Sequence, residues 1–211
     1  MKTIRVKDTL NHMEEIHVTQ VYNEIASHFD KTRAYRWSWI TNFLETTEIN
    51  SKILDIGCGS GRNMDFPNRQ FTGVDSSLSF VEICRKKGLE AHTMDMCGMP
   101  FKDKVFDYSI SIASFHHLAT EERRIQALKE MKRITKKDIL LSVWSMNQPP
   151  KTKVNFDSYG DTMVPWVKTN KKYNRYYYLF RLEEIKELFD KCDLKIKSHI
   201  WDCGNEVFIL E

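Results

Sequence analysis

The chain has 211 residues, 41% of them apolar and 29% charged, a balance that supports a buried core without disulfides or metals and excludes disordered, collagen-like and coiled-coil chains. Lys+Arg 32 against Asp+Glu 29 leaves +3, too small an excess to mark a nucleic-acid binder by itself. No apolar run nears the roughly 20 residues that span a bilayer, and the mixed charges of residues 1–17 do not read as a secretory leader.

Ile16, Val21, Ile25 and Phe29 predict a helix over 16–29, and Trp37, Ile40, Phe43 and Leu44 a second over 35–46. Residues 52–56 form a short apolar strand that runs into Gly57-Cys58-Gly59-Ser60-Gly61. A second strand is predicted over 70–75, then Ser76-Ser77 as the cap of a helix over 78–87 that Gly88 stops. Strands three to five are predicted over 90–94, 105–113 and 138–144, with a helix from Thr120 to Ile134 between the last two. The stretch 147–175 shows no period and holds three of the five prolines, so it reads as a long functional loop or insertion. A strand over 175–180, a helix over 182–191 and two apolar runs, 194–201 and 206–210, follow; Asp202-Cys203-Gly204-Asn205 joins the runs as a hairpin. The alternation predicts an α/β fold, a mostly parallel seven-stranded sheet with helices on both faces and an antiparallel C-terminal hairpin. One domain is expected over 1–211, with a helical extension over 1–48.

The strongest local signal is Asp55-Ile56-Gly57-Cys58-Gly59-Ser60-Gly61-Arg62. Glycines at a strand end let the backbone turn tightly and approach a ligand. The dinucleotide pattern G-x-G-x-x-G is not met, because the third glycine comes one residue early. Asp55 ahead of the turn would repel a pyrophosphate and suits an amino group, with Gly57, Gly59, Gly61 and Arg62 as further candidate contacts. Asp75 ends the second strand, about 20 residues past the turn, where a carboxylate accepts from two ribose hydroxyls; Ser76 lies beside it. Asp95 ends the third strand and can accept from an adenine amine while the Met96 N–H faces a ring nitrogen. Ser111, on the fourth strand, completes the candidate cofactor set. The five cysteines, Cys58, Cys84, Cys97, Cys192 and Cys203, form no C-x-x-C, and free thiols in the cytoplasm, or also the nucleus, are the expectation.

These motifs resemble those of class I S-adenosylmethionine-dependent methyltransferases. The surrounding words resemble the tRNA wobble-uridine carboxymethyl methyltransferases, including the methyltransferase domain of the AlkB-type tRNA hydroxylases. Val21-Tyr22-Asn23-Glu24-Ile25-Ala26 through Asp30-Lys31-Thr32-Arg33, with Trp37, carries the first match. Ser114-Phe115-His116-His117-Leu118 with Arg123-Arg124 carries the second, and Val143-Trp144-Ser145-Met146, Val164-Pro165-Trp166 and Arg175-Tyr176-Tyr177 the third. Ser38 stands where that family usually has proline, Arg62-Asn63 where Lys-Tyr is usual, and Asn147 where glutamate is common.

The resemblance implies S-adenosylmethionine as cofactor and a 5-carboxymethyl group on the wobble uridine of a tRNA anticodon loop, converted to its methyl ester. An alkyl carboxylic acid, with a pKa near 4, is ionised at neutral pH, so such a reaction needs no general base. Arg33 is the expected carboxylate holder, through its planar fork. His116 is expected at the uracil ring or the substrate carboxylate, with His117 capping the next helix or exchanging roles with it, and Tyr22 and Trp144 are expected to wall the base. The remaining histidines do not complete a zinc set, so no metal is expected. The basic and aromatic run 168–175 is the candidate surface for the anticodon arm. The family also implies a heterodimer with a small zinc-binding activator at the sheet's free third strand. The apolar neighbourhood there, Leu89, Ala91, Met94, Met96 and Met99, calls for either a partner strand or a neighbouring loop as cover. On the cofactor motifs alone, a small-molecule methyltransferase acting on a quinone or lipid stays open; the intact acids and glycines argue against a non-catalytic subunit.

Overall fold

Ile53 points to one side of the central sheet and Leu54 and Ile56 to the other, so β1 (Lys52–Ile56) is buried on both faces. The computed structural model describes residues 12–32, 35–150, 155–168 and 170–211. The strands after β1 are β2 (Gln70–Asp75), β3 (Ala91–Thr93), β4 (Tyr108–Ile112), β5 (Ile139–Trp144), β6 (Gly160–Lys168), β7 (Lys171–Leu179), β8 (Ile196–Asp202) and β9 (Asn205–Leu210). Seven of them form one sheet in the order β3-β2-β1-β4-β5-β9-β8. Its first five strands run parallel, and β9 lies antiparallel to β5 and β8, as the sequence predicts. The β8–β9 turn is made by Cys203 and Gly204, both at positive φ, as a two-residue hairpin of matching twist requires.

Helices cover both faces. On one side α2 (Ser38–Thr46) buries Trp39, Ile40, Phe43 and Leu44 against Ile53, Ile110 and Leu140. On the other, α4 (Glu121–Ile134) and α5 (Leu182–Lys191) bury Leu128, Met131, Ile185 and Phe189 against Leu54, Leu141 and Phe208. The helix α3 (Leu78–Lys86) starts where Ser77 accepts from the Phe80 N–H, and α4 where Thr120 accepts from the Arg123 N–H. The N-terminal helix α1 (Val21–Lys31), continuous with a π-helical turn Glu15–Gln20, packs Val21, Tyr22 and Ile25 on Phe80 and Tyr176. Among the described residues no helix is long and apolar enough to cross a membrane.

One expectation needs correction. The stretch 147–175 is not simply a long loop: β6 pairs antiparallel with β7 as a separate two-stranded sheet. Its alternation is hidden because Met163 and Val167 face solvent while the inner positions of β7 are largely polar or aromatic, and Pro165 sits within β6. The hairpin is held to α1 by the Trp166 indole, which donates to His28 Nδ1 at 3.2 Å, and by Lys168 Nζ on the Glu24 carbonyl at 2.5 Å. The strand β3 is the sheet edge, as expected, and of the two covers open to its apolar neighbourhood the chain's own neighbours supply the one over the side chains. Ala91 and Met99 are buried, and Leu89, Met94 and Met96 half-buried, under the chain's own neighbours.

Candidate active site

The strand order reverses direction at β1, with β2 on one side and β4 on the other, and a cavity of about 1010 Å³ opens at their carboxyl ends. The glycine turn forms its floor. Gly57 holds φ +74°, and a Cβ there would collide with the Ser114 side chain. Ser114 Oγ donates to the Ile56 carbonyl at 2.9 Å, and the Gly57 and Cys58 N–H groups both donate to the Val74 carbonyl, tying the turn to β2. Asp75 then fastens the turn: its Oδ2 accepts from the Gly59 N–H and its Oδ1 from the Ser77 N–H, each at 2.8 Å. Burial pushes Asp75 up to about 6, against the pull of those two N–H bonds.

Asp55 lies under the turn rather than on the cavity wall, fully buried, and neither carboxylate oxygen has a partner. Burial and the charge of Asp75 push it up to about 7, while Arg62 and Arg36 pull the other way. Asn63 lines the cavity, and its Oδ1 is likewise buried without a donor. The Arg62 guanidinium stands over the Trp37 ring at 4.7 Å, and Arg36 donates to the carbonyls of Arg62 and Asp65. Orphaned acceptors beside guanidiniums suit a zwitterionic amino-acid group, the chemistry of the methionine end of the expected cofactor. At the other end, Ser76, Asp95 and Met96 line the cavity. Both Asp95 oxygens lie 3.0 Å from Arg123 Nη2, and Arg123 Nε also grips Glu14 at 2.9 Å, drawing the N-terminal helix over this end. Ser111 does not reach the cavity; it donates to Ser114 Oγ at 3.0 Å, behind the turn.

The remaining wall is aromatic and brings together Tyr22, His117, Trp144, Arg175 and Tyr177. His117 Nδ1 lies 2.6 Å from the Tyr176 carbonyl, which only accepts, so Nδ1 carries the proton. Nε2 therefore accepts from the Tyr22 hydroxyl at 3.0 Å, and Tyr22 in turn accepts from Tyr177 at 3.2 Å and from Arg175 Nη1 at 3.4 Å. Burial pushes His117 down to about 3. Its neutral ring keeps no free lone pair. His116, the expected contact, does not line the cavity: it is stacked on Tyr177 and accepts from the Trp144 N–H through Nδ1. Burial and the neighbouring His117 hold it well below the usual range. Arg33 lies outside the described residues. Of the run 168–175, Lys171 and Lys172 are exposed, Lys171 lying 3.7 Å from Glu24, whereas Arg175 is buried in the cavity wall. The sequence does not mark Asn63, Arg123 or Arg175 for the cavity; for Arg175 the only signal is its place in Arg175-Tyr176-Tyr177.

Residues 54–143 match the family model described as a methyltransferase domain. A tRNA (carboxymethyluridine(34)-5-O)-methyltransferase of Schizosaccharomyces pombe is 32% identical over 222 residues, covering 94% of this chain and 97% of that protein. The mouse tRNA (carboxymethyluridine(34)-5-O)-methyltransferase ALKBH8 is 41% identical over 139 residues, 64% of this chain. The match spans only 21% of that protein, and 34% of a like-named relative from Arabidopsis thaliana. Among solved structures, the complex between the Haloferax volcanii Trm112 methyltransferase activator and the putative methyltransferase shares the fold, with a TM-score of 0.68 at 16% identity over 92% of this chain and 96% of that one.

Proposed function

The chain belongs to the tRNA (carboxymethyluridine(34)-5-O)-methyltransferase family, and on that premise we propose that it methylates the carboxylate of 5-carboxymethyluridine at the wobble position of tRNA, giving the methyl ester. The observation that carries the reading beyond kinship is the locked imidazole. Methylating a hydroxyl is helped by a group that takes its proton in the transfer step, and His117, the imidazole on the cavity wall, has its lone pair committed to Tyr22. A carboxylate arrives already ionised and needs no such group.

S-adenosylmethionine, when bound, supplies a methyl carbon made electrophilic by its sulfonium. Asn63 would offer an acceptor to its amino group with the charge of Asp55 beneath the turn, Arg62 with Arg36 behind it would supply positive charge for its carboxylate, Asp75 an acceptor for the ribose, and Asp95 with Met96 the contacts for the adenine. That methyl would pass to a substrate carboxylate oxygen, leaving a neutral thioether, so the residues around the cofactor would have only to hold the two reactants in line. No proton moves. The chain's work is alignment, which is worth about 7–11 kcal/mol for well-held reactants.

The proposal extends to a small zinc-binding activator paired with β3, in the cytoplasm, where the five free cysteines stay reduced. Support comes from the open edge of β3 and from the fold neighbour solved with an activator. Exposed Lys171 and Lys172 support contact with the anticodon arm. The test is transfer of labelled methyl from S-adenosylmethionine to total tRNA de-esterified by mild alkali, with and without the activator. Alkali-labile label on tRNA that needs the activator is the expected result. Cofactor binding without any label on tRNA overturns the substrate.

A further inference from the structure

Resting on the function proposed above, we infer that Arg175 is the residue that grips the substrate's carboxylate. Arg175 is only 4% exposed yet lines the cavity whose floor is the glycine turn. A guanidinium taken out of water is costly unless an anion meets it, and no acidic side chain pairs with Arg175 among the described residues. Its Nε has no hydrogen-bond partner among the described residues. What surrounds it is neutral: the Tyr22 hydroxyl at 3.4 Å from Nη1, and the rings of Trp166 and Tyr177 at 4.9 and 5.3 Å.

The acid that α1 turns to the hairpin does not relieve it. Glu24 is turned to the hairpin's outer lysine and tyrosine, 3.7 Å from Lys171 and 3.3 Å from the Tyr173 hydroxyl. The proton order on the wall fixes the rest. Tyr22 gives its hydrogen to His117 and offers lone pairs to Arg175, so the hydroxyl orients the guanidinium without neutralising it. A buried, oriented and uncompensated fork in a cavity shared with the cofactor site is built for a planar anion. The carboxymethyl group is such an anion. With one oxygen held by Arg175, the other keeps its lone pair for the methyl carbon. Arg33, which the sequence suggests for this role, lies outside the described residues, and the role does not require it.

The experiment compares wild type, Arg175→Met and Arg175→Lys, each as the full chain with its activator, on alkali-de-esterified tRNA. Arg175→Met is expected to lower kcat/KM by about 10–10²-fold, the usual worth of a hydrogen bond to a charged group, since the carboxylate is anionic before transfer and loses its charge in the ester. The Kd for S-adenosylmethionine should stay within about 3-fold, and Arg175→Lys should recover part of the loss. The melting temperature of the free protein separates this role from a structural one. Removing an uncompensated buried charge should leave it unchanged or raise it, whereas removing a structural arginine lowers it. A variant that melts lower and loses cofactor affinity in step with activity overturns the inference, as does one with wild-type kcat/KM. If wild type itself leaves tRNA unlabelled, the functional reading falls and takes this inference with it.

Discussion

His116 and His117 sit side by side in the chain and face different surroundings, because the 3-10 turn Phe115–His117 sends successive side chains about 120° apart. One ring is stacked on Tyr177 and accepts from the Trp144 N–H at its edge; the other closes the cavity wall. Nothing in a His-His word says which is which until the turn's orientation on β4 is known. Asp55, Asp75 and the glycines are different: a strand end that must turn, approach a ligand and offer acceptors needs those residue types at those places, so they are legible in the sequence. Arg175 is not, since it meets Tyr22 across 153 residues of chain. The locked His117 has a kinetic consequence. With its pKa near 3 and the substrate carboxylate ionised above about 5, no titrating group near neutrality takes part in the transfer step. At saturating cofactor, kcat is expected to stay flat between about pH 6 and 8. A rising limb with a midpoint near 6.5 that persists in Asp55→Asn, and so does not belong to the acid under the glycine turn, would mean that an imidazole acts as base and that the carboxylate reading is mistaken.

At the scale of elements, the parallel core is readable because β1 and β5 are mostly apolar and α3 and α4 carry capping residues, and both signals are local. The β6–β7 hairpin is not, because a two-stranded ribbon resting on one helix needs only one modest apolar face, and its inner side is supplied by Trp166, Arg175 and Tyr177 rather than by aliphatic alternation. The edge strand β3 is a third case, where burial of the side chains leaves the backbone as the feature that matters. The Glu90 carbonyl accepts from Gly73 and the Met94 N–H donates to Asp75, so the alternate residues Ala91 and Thr93 turn their backbone groups outward. Thr93→Pro removes one outward N–H and no bond of the sheet, a change an edge strand tolerates. It should weaken association with the activator at least about 10-fold while the melting temperature of the free protein shifts by only a few degrees, with cofactor affinity as the control. Undiminished association would place the partner elsewhere, and the exposed strip Ile196, Ile200 and Trp201 on the opposite edge is the next surface to examine.

Across the whole molecule, the cavity is assembled from three parts: the N-terminal helix, the carboxyl ends of the sheet and the hairpin. The buried acids under the glycine turn are an expense of that arrangement in the free protein. Asp55 near 7 and Asp75 near 6 both stand above the usual 3.8, so the unfolded chain releases their protons at lower pH than the native one does. Their contribution to stability is complete below about 4 and is lost as pH rises through 6 and 7. An ammonium held in the cavity above the turn reverses that loss, because its charge favours the ionised Asp55 carboxylate beneath. S-adenosylhomocysteine, which carries the same amino-acid group and transfers no methyl, should therefore raise the melting temperature more at pH 7.5 than at pH 5.5. Asp55→Asn should flatten this difference, and at pH 7.5 it should leave the free protein at least as stable as wild type, since no buried charge remains there to be uncovered. Thermal unfolding at the two pH values, with and without the ligand, measures all of this. An equal gain at both would mean that the ionised form of Asp55 does not answer the amino group's charge, and that its orphaned oxygens serve the fold of the turn alone.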